Sequence, residues 1–124
     1  MALSEPRISI RILVEGAGEF QGELIRIHAP LTVQEFSRRL PIEGFAARWD
    51  YAIYIQTEVR RGAEKTVKSI RRGDILYWPM GGYLALAFRD YEPPAQMVKI
   101  GEFRGEYERL EKVRPGSRVR LERV

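Results

Sequence analysis

The sequence predicts a mainly β protein, a closed barrel of eight short strands with one short helix, and three observations carry that prediction. Apolar and polar residues alternate, the period of a half-buried strand, in segment after segment. Gly- and Pro-rich turns separate those segments, and many short strands between such turns favour a sandwich or a barrel. The run Tyr83–Phe88 has little polar face, so it needs cover on both sides, as in a barrel wall lined within and packed without.

The elements follow in order. In Arg7–Val14, residues Ile8, Ile10, Ile12 and Val14 share one face, with Arg7, Ser9 and Arg11 on the other. A glycine-rich turn at Gly16 and Gly18 leads to a second strand near Gly22–His28, with Ile25 and Ile27 inward, so the two form a hairpin. Thr32–Leu40 breaks the alternation. Thr32 and Glu35 have the spacing of a capping box, and Val33, Phe36 and Leu40 form one apolar stripe, which predicts a helix over 32–40. Pro41 ends it, because the residue before a proline avoids helical geometry.

A loop through Gly44 then leads to strands at Tyr51–Val59, Thr66–Ile70 and Asp74–Trp78. The turn Pro79–Gly82 joins the last of these to Tyr83–Phe88. Beyond the loop Asp90–Pro94 come a strand at Met97–Phe103, a helical turn over 106–112, and a final strand at Arg118–Arg123.

Composition bounds the chemistry. The 124 residues, 44% of them apolar, suffice for one domain over 1–124 that needs no metal or disulfide staple. The absence of Cys excludes disulfides, thiolate metal sites and cysteine nucleophiles. A single histidine, His28, excludes sites built from several imidazoles, and Asp is limited to Asp50, Asp74 and Asp90, without calcium-loop spacing. We therefore expect no metal and no cofactor. The balance of 21 basic against 17 acidic residues, +4, is a mild excess. No apolar run approaches the roughly 20 residues of a membrane helix, and Met1–Arg7 shows no export signal, so the expected setting is cytoplasmic, without membrane. The lack of Asn and Cys beside abundant Arg and Glu suggests a thermophilic source.

Several motifs have ordinary explanations. Gly16–Gly22 resembles a dinucleotide fingerprint, but its third glycine falls one residue late and a strand follows where a helix N-terminus is needed. No G-x-S-x-G elbow occurs, and a Ser–His–Asp triad would have to use His28 on a strand. Glu106, Glu108 and Glu111 lie among Arg109 and Lys112 and read as a solvated face. The pairs Arg38-Arg39, Arg60-Arg61 and Arg71-Arg72 raise nucleic-acid binding, yet the aromatics concentrate elsewhere, at Tyr77, Trp78 and Tyr83. There, Trp78 and Tyr83 flank a turn where large rings can form one wall of a cleft.

That stretch also carries a family resemblance. Gly73-Asp74-Ile75-Leu76-Tyr77-Trp78-Pro79, with Gly81 and the apolar run behind it, resembles the "GDI-x-YWP-x-G" segment of the small cyclophilin-like proteins of prokaryotes. Trp49 followed by Ile53-Tyr54, the step Val98-Lys99-Ile100-Gly101, and the ending with Leu110, Val113, Gly116 and Val119 agree with it. The chain departs from that family in two places: Ala52 stands where a Glu precedes Ile-Tyr, and Arg89–Pro94 replaces a Gly-Pro-Thr-Pro-like step. The resemblance implies an eight-stranded barrel with a helix after the second strand. It does not imply isomerase activity, since the Phe-x-Met-x-x-Gly segment of true cyclophilins has no counterpart here.

The resulting expectation is a binding module with an aromatic-lined cleft for a small molecule or peptide. Its candidate residues are Tyr54, Trp78, Met80, Tyr83 and Phe88, with Gly81 and Gly82 permitting close backbone approach and Arg89 anchoring an anionic group. The alternatives are a prolyl isomerase with an altered site, using Arg89 or Arg48, and a nucleic-acid-binding barrel. A strand edge or the Tyr91–Pro94 loop offers a place for a homodimer contact.

Overall fold

The computed structural model describes residues 6–124. Nine strands make a single sheet: β1 (Arg7–Val14), β2 (Gly18–Ile25), β3 (Ile42–Phe45), β4 (Ala47–Arg48), β5 (Ala52–Gln56), β6 (Asp74–Trp78), β7 (Tyr83–Ala87), β8 (Val98–Arg104) and β9 (Arg118–Arg123). One helix, α1 (Pro30–Arg39), follows the first hairpin. The strand order is β3-β9-β1-β2-β8-β6-β7-β5-β4, antiparallel throughout. The two ends of that order, β3 and β4, are separated in the chain by Ala46 alone, so the sheet curls into a nearly closed barrel.

The strand count is therefore nine, not eight, and two differences produce it. The segment through Gly44, expected to be a loop, forms the two short strands of Ile42–Arg48. It pairs with β9 through its first half and with β5 through its second. Conversely, Thr66–Ile70 is not a strand. It touches its neighbours only at two single bridges, Thr66 with Val98 and Ile70 with Tyr91. Val67 and Ile70 lie three residues apart, not two, so they cannot hold one face of a ladder.

Alternation builds the interior. Ile8, Ile10, Ile12 and Val14 of β1, Ile53 and Ile55 of β5, Ile75 and Tyr77 of β6, and Leu84 and Leu86 of β7 all join one buried core. The opposite faces of β5, β6 and β7 carry a second layer, with Ala52, Leu76, Ala85 and Ala87 packed beneath Tyr51, Ile70 and Met97. The strand apolar on both faces is thus covered on both.

The second strand stops earlier than expected. The Arg26 N–H donates to the Pro6 carbonyl, and Arg26–His28 winds into a 3-10 turn. His28 consequently sits on that turn, and Ile27, expected inward, is 83% exposed. The helical turn expected over 106–112 is a 3-10 segment, Tyr107–Lys112, with Leu110 buried.

The helix starts two residues before the expected position, and its cap is not Thr32. Pro30 occupies the first turn, where its missing N–H is harmless. The free N–H groups are taken from across the chain: Glu64 accepts from Leu31 N at 3.2 Å, Thr32 N at 2.6 Å and the Thr32 hydroxyl at 2.6 Å. Glu35 instead bonds Arg38 and Arg39, one turn on. The expected stripe holds, with Val33 and Phe36 fully buried in the interior core and Phe36 edge-on to Tyr77 at 5.4 Å.

Burial raises the Glu64 carboxyl, but the hydrogen bonds from Thr32 and Leu31 outweigh it and hold the group below its ordinary value of 4.5. Its stabilising contribution is then present above that value and is lost as pH falls through the lowered one. Glu64→Ala should destabilise the fold by about 1 kcal/mol at neutral pH. In denaturant titrations the gap between wild type and variant should narrow below pH 4.5.

Candidate functional site

The outside of the barrel is two different surfaces. Over β3, β9, β1 and β2 it is a ladder of charge: Glu19 to Arg11 at 3.3 Å, Arg11 to Glu122 at 3.1 Å, Glu122 to Arg120 at 2.7 Å, and Arg120 to Glu43. Such cross-strand pairs satisfy a solvated face. Over β5, β6 and β7 it is aromatic.

The aromatic layer begins at the β4–β5 turn. The Trp49 N–H donates to the Ala52 carbonyl, and the tight turn places Trp49 and Tyr51 side by side, rings stacked at 5.7 Å. Trp49 also lies on Tyr54 at 4.0 Å and meets Trp78 at 5.9 Å and an interplanar angle of 79°. Tyr91, from the loop after β7, stacks on Tyr51 at 4.5 Å. Between these rings lies a cleft of about 510 Å³, within the range of small-molecule sites, lined by Trp49, Tyr51, Trp78, Tyr91, Met97 and Arg48 among others.

Two polar atoms make the cleft unusual. Tyr51 Oη and Trp78 Nε1 are both buried, and neither has a hydrogen-bond partner among the described residues. Leaving a buried donor unpaired costs about 1–3 kcal/mol. Every buried polar or charged residue elsewhere is satisfied: Thr32 by Glu64, Ser37 by Arg123, Thr57 by the Gly82 carbonyl, and Asp74 by Lys99 and the Arg71 N–H. Burial pushes the Tyr51 phenol up to about 12, with the neighbouring Tyr91 adding to the effect, so Tyr51 keeps its proton at neutral pH.

A larger groove of about 670 Å³ lies on the charged wall, beside Leu13 and Phe45. Its carboxylates are occupied, Glu19 by Arg11, Glu43 by Arg120 and Glu15 by the Arg118 N–H. Neither of the two buried, unpartnered side-chain atoms among the described residues belongs to its lining, so the aromatic cleft is the better candidate.

The eight residues singled out from the sequence are placed as follows. Trp78 lines the cleft. Tyr54 and Tyr83 stand in the ring layer around it, Tyr83 stacked on Trp78 at 5.5 Å and tilted at 59° against Tyr54 at 4.9 Å. Gly81 lies against the same rings, where a Cβ would come within 2.5 Å of Tyr83 and 2.7 Å of Trp78. Gly82 adopts φ +71° in the turn, and its carbonyl accepts from both the Thr57 N–H and hydroxyl. Met80 is 87% exposed at the turn tip.

Phe88 belongs to the barrel interior, with the Arg48 and Arg89 guanidinium groups 5.5 and 5.6 Å from its ring centre. Arg89 itself bonds Glu111 at 2.8 Å and does not line the cleft. Arg48 does line it, and its Nη1 bonds the Glu111 and Val113 carbonyls.

Tyr51 and Tyr91 were absent from the sequence-based set. Tyr51 was expected to open the strand Tyr51–Val59 in phase with Ile53 and Ile55, but β5 spans only Ala52–Gln56. Tyr51 lies in the turn before it and packs in the outer layer, and its stacking on Tyr91 joins positions far apart in the chain. The one usable signal was the density of rings over Trp49–Tyr54. The arginine pairs do not gather at the cleft: Arg38 and Arg39 bond Glu35, Arg60 caps carbonyls of its own loop, and Arg72 lies over Tyr107. Among the described residues, no three His, Cys, Asp or Glu side chains group as metal ligands, and no helix is long and apolar enough to cross a membrane.

An antiparallel barrel with a helix after its first hairpin is the architecture of a small cyclophilin-type domain. The chain belongs to the cyclophilin-like family, whose sequence model matches residues 8–122. It is similar to a hypothetical protein of Archaeoglobus fulgidus whose structure was determined in solution, at 28% identity and a TM-score of 0.76, over 100% of both chains. No curated protein matches.

The unpaired phenol gives a direct check on this description. Tyr51→Phe should leave the melting temperature unchanged or raise it, because it removes a buried hydroxyl that bonds nothing. Tyr77→Phe should cost about 1 kcal/mol, since the Tyr77 hydroxyl donates to Val59 O at 3.0 Å and accepts from Arg61 N at 3.1 Å. Thermal melts of the two variants side by side make the comparison.

Proposed function

We propose that the protein is a cytoplasmic binding module that takes a small molecule or peptide in the aromatic cleft between the β4–β5 turn, Trp78 and the Tyr91 loop. The observation that carries the reading is the coincidence of two buried, unpartnered polar atoms, Tyr51 Oη and Trp78 Nε1, on residues that line one cleft of suitable size. Trp49 and Met97 supply apolar wall, Tyr54 and Tyr83 back the rings, and Gly81 lets the rings settle against the turn.

The reading is binding without turnover. An isomerase site needs a guanidinium directed at the substrate imide. Arg89 is engaged by Glu111 away from the cleft, and Arg48 spends its Nη1 on two backbone carbonyls. A protease-coupled proline-isomerisation assay should accordingly give the uncatalysed rate at high protein concentration; a clear acceleration abolished by Arg48→Ala would replace this reading with catalysis.

The test of binding is a chemically unbiased one. Fragments and short peptides are screened against the labelled full chain by NMR, and the shifts of any hit are mapped. Hits should move resonances of Trp49, Tyr51, Trp78 and Tyr91, and Trp78→Ala should weaken them about tenfold or more while lowering the melting temperature only modestly. Hits that map to the groove beside Phe45, or a screen with none, would overturn the assignment.

A further inference from the structure

We infer that the segment between β5 and β6, residues 57–73, is a docking strip for an extended acidic peptide, with Lys65, Lys68 and Arg71 as its row of cations. The strip is a surface other than the cleft, and the inference does not rest on the binding-module reading.

Charge singles the segment out. It holds six of the 21 basic residues and two of the 17 acidic ones, so the rest of the chain is balanced and the whole excess of +4 belongs here. Three of the six cations are engaged: Arg60 bonds the Thr57 and Val59 carbonyls, Arg61 acts on Glu64, and Arg72 lies over Tyr107. Lys65, Lys68 and Arg71 are exposed, and none of their side chains has a hydrogen bond or ion pair among the described residues. The two acids do not offset them. Glu64 is spent on the start of α1, and Glu58 stands 3.9 Å from Arg39.

Burial puts the three cations on one side. The segment is covered at every third residue: Arg61, Glu64 and Val67 are half-buried and Ile70 is buried, while the residues between them are exposed. Val67 and Ile70 pack on the outer layer, pinned by the Val67 N–H to Met97 O and by the pairing of Ile70 with Tyr91. Lys65, Lys68 and Arg71 follow the same step of three, each directly after an inward residue, and so make one outer row. Three residues span at most about 11 Å, close to the Debye length of about 10 Å at 0.1 M salt, so neighbouring cations reinforce one another toward an anionic chain.

The strip suits a peptide better than a nucleic acid. Residues 57–73 contain no aromatic side chain on which a base could stack. Rings of the outer layer beside it are occupied by one another, Tyr91 against Tyr51 and Trp49 against Tyr54. Besides charge, the strip offers backbone: the Lys68 and Ser69 N–H groups have no partner among the described residues. An extended peptide brings carboxylates for the cations and carbonyls for these donors.

The experiment measures fluorescence anisotropy of labelled dodecaglutamate against the full chain. It should bind at about 20 mM salt and weaken about fivefold or more at about 150 mM. Lys65→Glu, Lys68→Glu and Arg71→Glu combined should weaken it about tenfold or more. Arg104→Glu, Lys112→Glu and Arg114→Glu combined change the net charge equally and should stay within about twofold of wild type. The strip variant should melt within about 3 °C of wild type, since its three side chains bond nothing. If it melts lower, Gln at the same three positions takes its place, with an expected loss of about fivefold.

An equal loss in the control variant would overturn the strip, because net charge alone would then explain the binding. So would binding indifferent to salt, or none at about 200 μM protein. Tighter binding of labelled dodecathymidylate through the same three residues would overturn the peptide and make the strip a nucleic-acid surface.

Discussion

A sheet has two edges, and here both belong to one short segment. Ile42–Phe45 completes one end of the strand order, Ala47–Arg48 completes the other, and Ala46 is the residue between them. Exposed edges invite pairing with other chains, and a barrel removes them. The seam has no slack: Ala46 donates to Ser117 O and accepts from Gly116 N, both at 2.7 Å, and a Cβ on Gly44 would lie 3.0 Å from the Ile55 Cβ. Closure at this seam swings β4 beside β5 and so creates the tight turn on which Trp49 and Tyr51 stand. The candidate site is therefore a product of how the barrel closes, not an addition to it.

The same closure explains why the outer surface divides in two. Strands on the β3-β9-β1-β2 side expose their polar faces to solvent and knit them into a ladder of charge from Glu19 to Glu43. On the β5-β7-β6 side the outward residues of β7 after Tyr83 are Ala85 and Ala87, too small to satisfy a solvated face and too apolar to leave bare. The long segment after β5 and the loop after β7 fold back to cover them, bringing Ile70 and Tyr91 together through paired backbone bonds at 2.9 and 3.0 Å. Cover made of loops and rings leaves a seam where strand packing would leave none, and the cleft lies in that seam.

This division also sets what the sequence revealed. Strands whose apolar residues recur at every second position, such as Ile8 to Val14, were legible because one side chain in two must face the core. The demand for a second covering layer was legible from Tyr83–Phe88. The seam strand was not, because Gly44 and Ala46 serve closeness of approach, and small residues leave no periodic mark. The helix cap was misassigned for a related reason. Thr32 and Glu35 have the local spacing of a box, but Glu64, 32 residues beyond Thr32, competes for the same N–H groups and wins. Of the cleft, Trp78 was found because it borders a strong turn, whereas Tyr51 and Tyr91 meet only after the loops have folded back.

The unpaired atoms are where local consistency fails, and the failure is confined. Elsewhere each buried polar side chain is matched with some care, often over long sequence distances, as Ser37 is with Arg123 and Asp74 with Lys99. A chain able to do that for Thr57 through a single carbonyl had cheap remedies available at the cleft: a phenylalanine at position 51, or a ring without an N–H at position 78. Sequences that specify one structure satisfy their buried groups, and natural proteins depart from this mainly at functional sites. Both departures fall on residues that line the same cleft, Tyr51 and Trp78, and that coincidence is what sets this wall of rings apart from the rest of the barrel.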